Sequence, residues 1–185
     1  MFGFFSKIKF WLMADRIGPD IPINHWKLHF DKSMRKLCVN KFKYFHPTAS
    51  FRPGAYAICC SKISLGADVI IRPGTMLFAD PREGGVGITI ENHVMIGSGV
   101  HMYVHNHCFE DISCCILEQG WHQSEPILIK EGSWIGAGAI ILPGVTVGKN
   151  SVVAAGSVVT KNVADFCVVA GAPARVLRDL KREKR

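Results

Sequence analysis

The feature that most restricts this chain is a period of six. Aliphatic residues recur six apart at Leu65, Ile71 and Leu77, again at Ile90, Ile96 and Met102, and then unbroken at Ile129, Ile135, Ile141, Val147, Val153 and Val159. Phe45 and Phe51 begin the same spacing earlier. Four positions after most of them stands a small or β-branched residue, such as Val69, Thr75, Ser133, Ala139 or Ser157, and Gly or Pro punctuates the intervals, as in Pro143-Gly144. An amphipathic helix repeats every 3.6 residues or so and a two-faced strand every second residue, so neither explains the pattern. Six residues instead make one short strand and one turn. Three such units close a triangular coil with the aliphatic residue inside, the small residue beside it and Gly, Pro or Asn at the corner. Stacked coils pair along parallel strands about 4.8 Å apart and bury a continuous apolar column. The expectation is an all-β fold, a parallel β-helix over residues 45–171, preceded by a helical or irregular segment, 1–44.

The phase also locates interruptions. Leu77 to Ile90 is 13 residues, one more than two periods, with Pro81 to Gly87 as a Gly-rich corner extension. Met102 to Ile129 is 27 residues, three more than a multiple of six, so residues 108–126 must loop out of the wall. Loops thrown from a rigid scaffold are where function concentrates. After the repeat, Ala172-Pro173-Ala174 reads as the start of a helix through Val176, Leu177 and Leu180, followed by a basic tail, within 172–185.

Composition narrows the class. With 185 residues, 48% of them hydrophobic, the chain can bury a sizeable core and is too apolar for a disordered polymer. Seven cysteines, an odd number outside any CxxC array, read as reduced thiols of a cytoplasmic protein. The formal charge of +7 suits an anionic ligand, a membrane surface or nucleic acid, but no aromatic-interleaved basic strand or recognition helix supports the last. Residues 1–13 are apolar but broken by Ser6, Lys7 and Lys9, too short and too basic to span a bilayer. They either pack on the protein itself or lie on an anionic membrane surface at the cytoplasmic face.

From about Ile88 to Arg178, roughly half the chain, the sequence resembles the hexapeptide-repeat acyltransferases, in their galactoside, maltose and polysaccharide O-acetyltransferase branch. The run WIGAGAIILPGVTVG, then AAGSVVTK and GAPAR, carries the resemblance. It implies a left-handed coil, a homotrimer, acetyl-coenzyme A as donor, and an active site between subunits. Acetyl transfer to a hydroxyl needs a base, which neutral imidazole supplies, and donors for a tetrahedral oxyanion. Aligned without gaps, the family's catalytic histidine falls on His107, at the mouth of the long loop. His105 is second in line and otherwise an acceptor-binding residue, with Asp80 and Trp134 as further acceptor candidates. By the same resemblance the donor runs past Trp134, Ala137 and Ala155, and its nucleotide end meets Thr160, Lys161, Arg175 and Arg178. His101 reads as a wall residue. Glu110, Asp111 and Glu125 lie close enough in sequence to orient the base, but a backbone carbonyl would serve equally.

The expected activity is therefore acetyl transfer from acetyl-coenzyme A to a saccharide or glycan-precursor hydroxyl, in polysaccharide biosynthesis, with no metal site and no metal required. The loop residues Cys114, Cys115, Trp121 and His122 have no counterpart in the galactoside or maltose enzymes, so the acceptor stays open. A xenobiotic or amino-sugar N-acetyltransferase of the same fold is one alternative, and a non-catalytic β-helix interaction module another. A zinc enzyme of the γ-carbonic anhydrase type would need ligands five apart, and no two of the eight histidines are so spaced.

Overall fold

The computed structural model describes residues 3–182. Three short helices come first: α1 (Phe4–Met13), α2 (Pro22–Lys27) and α3 (Asp31–Lys41). Apolar side chains at i, i+3 and i+4 in α3, namely Met34, Leu37 and Cys38, are its buried face. Behind it Phe42 packs at 5.6 Å from Phe45 and 5.5 Å from Phe51, plugging the open end of the coil. By contrast α1 buries no side chain, and Phe4, Phe5, Leu12 and Met13 stand exposed. No helix among the described residues is long and apolar enough to cross a membrane. The proposed membrane segment begins at residues 1 and 2, which lie outside the described range, as do residues 183–185 of the basic tail.

From Tyr44 onward the chain winds through three parallel sheets, the walls of a triangular prism. The first wall stacks Tyr56–Ile58, Met76–Phe78, His101–Tyr103, Ile140–Ile141 and Val158–Val159. The second stacks Tyr44–Phe45, Ile63–Leu65, Ile88–Ile90, Ile127–Ile129 and Thr146–Val147, and the third runs from Ser50–Phe51 to Cys167–Gly171. Register aligns the predicted interior residues: Leu77 faces Met102, Met102 faces Ile141 and Ile141 faces Val159, all at most 1% exposed. The small residues of the pattern are buried beside them, with Thr75, Ser133, Ser151 and Ser157 at 0%. Their hydroxyls bond backbone, as Ser133 Oγ does to Lys130 O and Gly148 O, so burying them leaves no orphaned oxygen. At the corner between the third and first walls, Gly99 and Gly138 take positive φ of 65° and 69° and pack against the next coil's glycine, a tight turn that a side chain would strain.

Both interruptions leave the prism at one edge, between the first and second walls. The step from Leu77 to Ile90 crosses that corner directly, so its thirteen residues are a single six-residue repeat with seven inserted, not two repeats and one. Met102 to Ile129 crosses the same corner one coil later and carries residues 108–126 outward. Insertions confined to a corner leave the wall hydrogen bonds in register.

The C-terminal helix expected from residue 172 is absent. Ala174–Asp179 is instead a strand antiparallel to Cys167–Gly171, with Pro173 in the connecting turn. The reason lies outside the local sequence: the last coil ends in an open sheet edge, and pairing its backbone outweighs the helical spacing of Val176, Leu177 and Leu180. At the opposite end Arg16–Ile17 closes the first wall by antiparallel pairing with Tyr56–Ile58. All seven cysteines are free thiols, and burial pushes those of Cys38 and Cys60 far above the usual thiol range. The column predicts its own energetics: Ile141→Ala should cost about 2–5 kcal/mol by chemical denaturation, and Lys36→Ala on the exposed side of α3 less than about 0.5 kcal/mol.

Candidate active site

The first wall ends, at the edge that carries the insertions, in an aromatic ladder. Ile58, Phe78 and Tyr103 sit directly opposite one another in register and point outward, with Phe78 and Tyr103 stacked at 5.0 Å and 10°. Beyond them His105 and His107 leave the wall, and the long loop returns over them. Together these groups and Trp121 line a cavity of about 490 Å³. The base of the loop is a short hairpin: Cys108 N–H donates to Gly120 O, His122 N–H donates to Asn106 O, and His107 bridges Trp121. That pairing lays the indole on the imidazoles, 3.5 Å from the His107 ring centre and 4.6 Å from that of His105.

Both imidazoles keep a buried Nδ1 without a hydrogen-bond partner among the described residues. Desolvation lowers the basicity of His105. His101 is a wall residue, as expected, with Nδ1 2.7 Å from the Tyr103 hydroxyl. Of the loop carboxylates, those of Glu110 and Asp111 are engaged elsewhere. Glu110 pairs with His122 at 3.2 Å, Asp111 accepts from Ser113 N–H and Oγ–H, and Glu125 joins the wall through its N–H on Val104 O.

Asp80 is only 1% exposed, and its carboxylate receives the Arg82 fork, Nε at 2.9 Å and Nη2 at 2.7 Å. The Arg82 guanidinium beside it holds this carboxyl well below the usual carboxylate range. Gly85 allows the shorter insertion to close over the pair, since a Cβ there would lie 2.5 Å from Asp80 Cγ. Arg82 in turn lines the cavity and donates to His122 O, tying the short insertion to the long loop. Asp80 thus acts on the cavity through Arg82. The aromatic ladder, Arg82 and the position of Trp121 were not read as site features from the sequence. The one available signal was an aromatic residue and an arginine within the two out-of-phase segments.

The predicted donor residues fall in two places. Trp134 is half exposed on the third wall, between Met95 and Val152, and Ala137 and Ala155 follow at the corner between the third and first walls. Lys161 and Arg175 line a separate cleft of about 280 Å³ at the C-terminal end, with Thr160 exposed beside it. Arg175 faces Ala170 and Arg178 faces Val168, because an irregularity between Val168 and Val169 inserts one residue on the outer strand. That bulge puts both arginines on one face, where an unbroken strand would part them.

A triangular parallel coil of six-residue repeats is the architecture that the solved structures similar to this chain share. The pattern described as "Bacterial transferase hexapeptide (six repeats)" matches residues 126–161. Galactoside O-acetyltransferases of Lactococcus lactis and Escherichia coli are 41% and 40% identical over 93 residues, covering 50% of this chain and 44% of theirs. The chain thus matches less than half the length of these curated relatives. A galactoside acetyltransferase solved with coenzyme A superimposes with a TM-score of 0.75 at 27% identity, over 97% of this chain and 80% of that one. A hexapeptide-repeat acetyltransferase of Vibrio cholerae solved with acetyl-coenzyme A gives 0.72 at 27%, over 88% and 90%. The chain is thus similar to hexapeptide-repeat acetyltransferases, in sequence over half of its length and in fold over most of it, and its coil is a left-handed parallel β-helix.

The Asp80–Arg82 pair is testable through stability. Arg82→Met strands a buried carboxylate and should lower Tm, and adding Asp80→Asn should recover most of the loss. Because the folded carboxyl is the more acidic, the pair's contribution is complete above about pH 4 and lost as pH falls below it. Melting curves from about pH 6 down to 3 should therefore show the gap between wild type and Arg82→Met narrowing on acidification.

Proposed function

We propose that the protein transfers an acetyl group from acetyl-coenzyme A to a hydroxyl of a saccharide or glycan precursor, with His107 as general base. The observation that carries this reading is the His107 imidazole at the mouth of an aromatic cavity, held in place by Trp121. In the reaction, His107 takes the acceptor's hydroxyl proton as that oxygen bonds to the thioester carbon. The tetrahedral oxyanion is met by backbone N–H groups of the rigid coil. Collapse breaks the carbon–sulfur bond, and the imidazolium returns its proton to the leaving thiolate. Phe78, Tyr103 and Trp121 offer apolar faces for the C–H side of a sugar ring, and this supports a saccharide over a small polar acceptor.

The donor's phosphates find cations in Lys161, Arg175 and Arg178, Arg through its planar fork. Within one chain, His107 and the Ala137–Ala155 corner lie on different edges of the prism. This separation supports a site closed by a neighbouring subunit, hence a homotrimer, and the reaction belongs on the cytoplasmic side with its co-substrate.

Thiol release from acetyl-coenzyme A, measured over saccharide, amino-sugar and antibiotic acceptors, tests the reaction. His107→Ala should lower turnover at least about 10²-fold, and full activity in that variant would move the base elsewhere. Lys161→Ala and Arg175→Ala should raise KM for acetyl-coenzyme A with little change in kcat. Sedimentation equilibrium should return about three times the chain mass of 20.4 kDa.

A further inference from the structure

The long loop is tied by hydrogen bonds at its base but buries little apolar surface. It is an excursion of some twenty residues whose large apolar side chains face outward, Ile112 fully, Leu117 at 83% and Phe109 at 63% exposed. Ordered segments that bury no apolar core are commonly stapled by a disulfide or a metal, and its cysteines Cys108, Cys114 and Cys115 are all free thiols. One group of its side chains has a donor set suited to a metal. Cys108 Sγ, a Glu110 carboxylate oxygen and a His122 ring nitrogen all lie within 4.8 Å of one another, with Nε2 and Oε1 3.2 Å apart.

We propose that Cys108, Glu110 and His122 form a structural binding site for a borderline-soft divalent cation, with zinc the best match. A thiolate, an imidazole and a carboxylate are the three ligand types zinc accepts, at about 2.3, 2.0 and 2.0–2.2 Å. A tetrahedron of those bond lengths has edges of roughly 3.3–3.8 Å. The present spacing therefore needs a closure of an ångström or so, within the reach of three side chains that are not fully buried. The thiolate selects against magnesium and calcium, which prefer all-oxygen sites. Solvent exposure of Glu110 and His122 leaves the fourth position to water.

The backbone supports the same geometry. The bonds Cys108 N–H to Gly120 O and His122 N–H to Asn106 O bring the two ends of the loop together, and Arg82 holds His122 O from the other insertion. An ion there would staple the hairpin that carries Trp121 over His107. It is separate from the base and takes no part in the proton transfer proposed above, so it stands or falls independently of that reaction.

The test is metal binding by the full chain, without coenzyme A or acceptor. After chelation and dialysis, zinc affinity is measured by competition with a chromophoric chelator, and the cobalt-loaded protein is examined for a thiolate-to-cobalt absorption band. The expected result is one ion per chain, bound tighter than about 1 μM, with the thiolate band present. Cys108→Ser should abolish the band, His122→Asn and Glu110→Gln should weaken zinc at least about tenfold, and Cys115→Ser should change neither. Zinc should also raise the Tm of wild type but not of His122→Asn. Wild-type protein without micromolar zinc affinity overturns the proposal, and so does a band that survives Cys108→Ser or disappears in Cys115→Ser. If Cys108→Ser does not fold, the wild-type cobalt spectrum and the His122→Asn affinity decide it.

Discussion

Everything in this molecule depends on the register between successive coils. Each coil hydrogen-bonds through its walls to the coil before and the coil after it, as Met76 N–H does to Val100 O and Ala79 N–H to Ile58 O, and each interior aliphatic residue sits directly over its counterpart. A shift of one residue would turn a whole interior row outward. The coil therefore tolerates extra residues at corners and nowhere else. That single rule explains why the two long interruptions emerge at the same edge in successive coils, and why they meet.

Where they meet, the cavity is lined by groups that the repeat itself does not require. Outward positions on a wall are free of the interior pattern, and three of them, Ile58, Phe78 and Tyr103, form an apolar ladder up to His105 and His107. The loop returns Trp121 onto the imidazoles, and the buried Asp80 carboxylate fixes Arg82 so that it reaches the loop backbone at His122. Breaking that ion pair would leave a charge in a dry place, so its role is to set geometry more than to add net stability. The rigid wall supplies the reference frame, and the two insertions supply the walls and roof of the cavity.

The ends of the coil follow a different logic. A stack of strands leaves an open edge at each end, with backbone groups available to any passing chain. Here one wall at each end is closed by an antiparallel strand, the first by Arg16–Ile17 and the third by Ala174–Asp179, and α3 plugs the N-terminal opening with its Met34–Leu37–Cys38 face. The C-terminal hairpin also has a consequence for charge. Its one-residue bulge brings Arg175 and Arg178 to one face, beside the cleft that holds Lys161.

The coil, its interior column and the positions of its interruptions could be read from the order of residues, because a six-residue period is a local property repeated often enough to exclude helix and ordinary strand. His107 was singled out by resemblance, because the family's base aligns with it, and it stands where the period stops. What could not be read depended on partners distant in sequence. Residues 174–179 have the spacing of a helix, and they became a strand because an unpaired edge lay beside them. The seven residues Pro81 to Gly87 read as a corner extension, but only wall register showed that they and the long loop leave the same edge in successive coils. Asp80 read as an acceptor candidate, and its burial under Gly85 within the Arg82 fork makes it a support instead. Periodicity records which way each side chain points along one chain, and contacts between coils and loops decide which of those side chains meet.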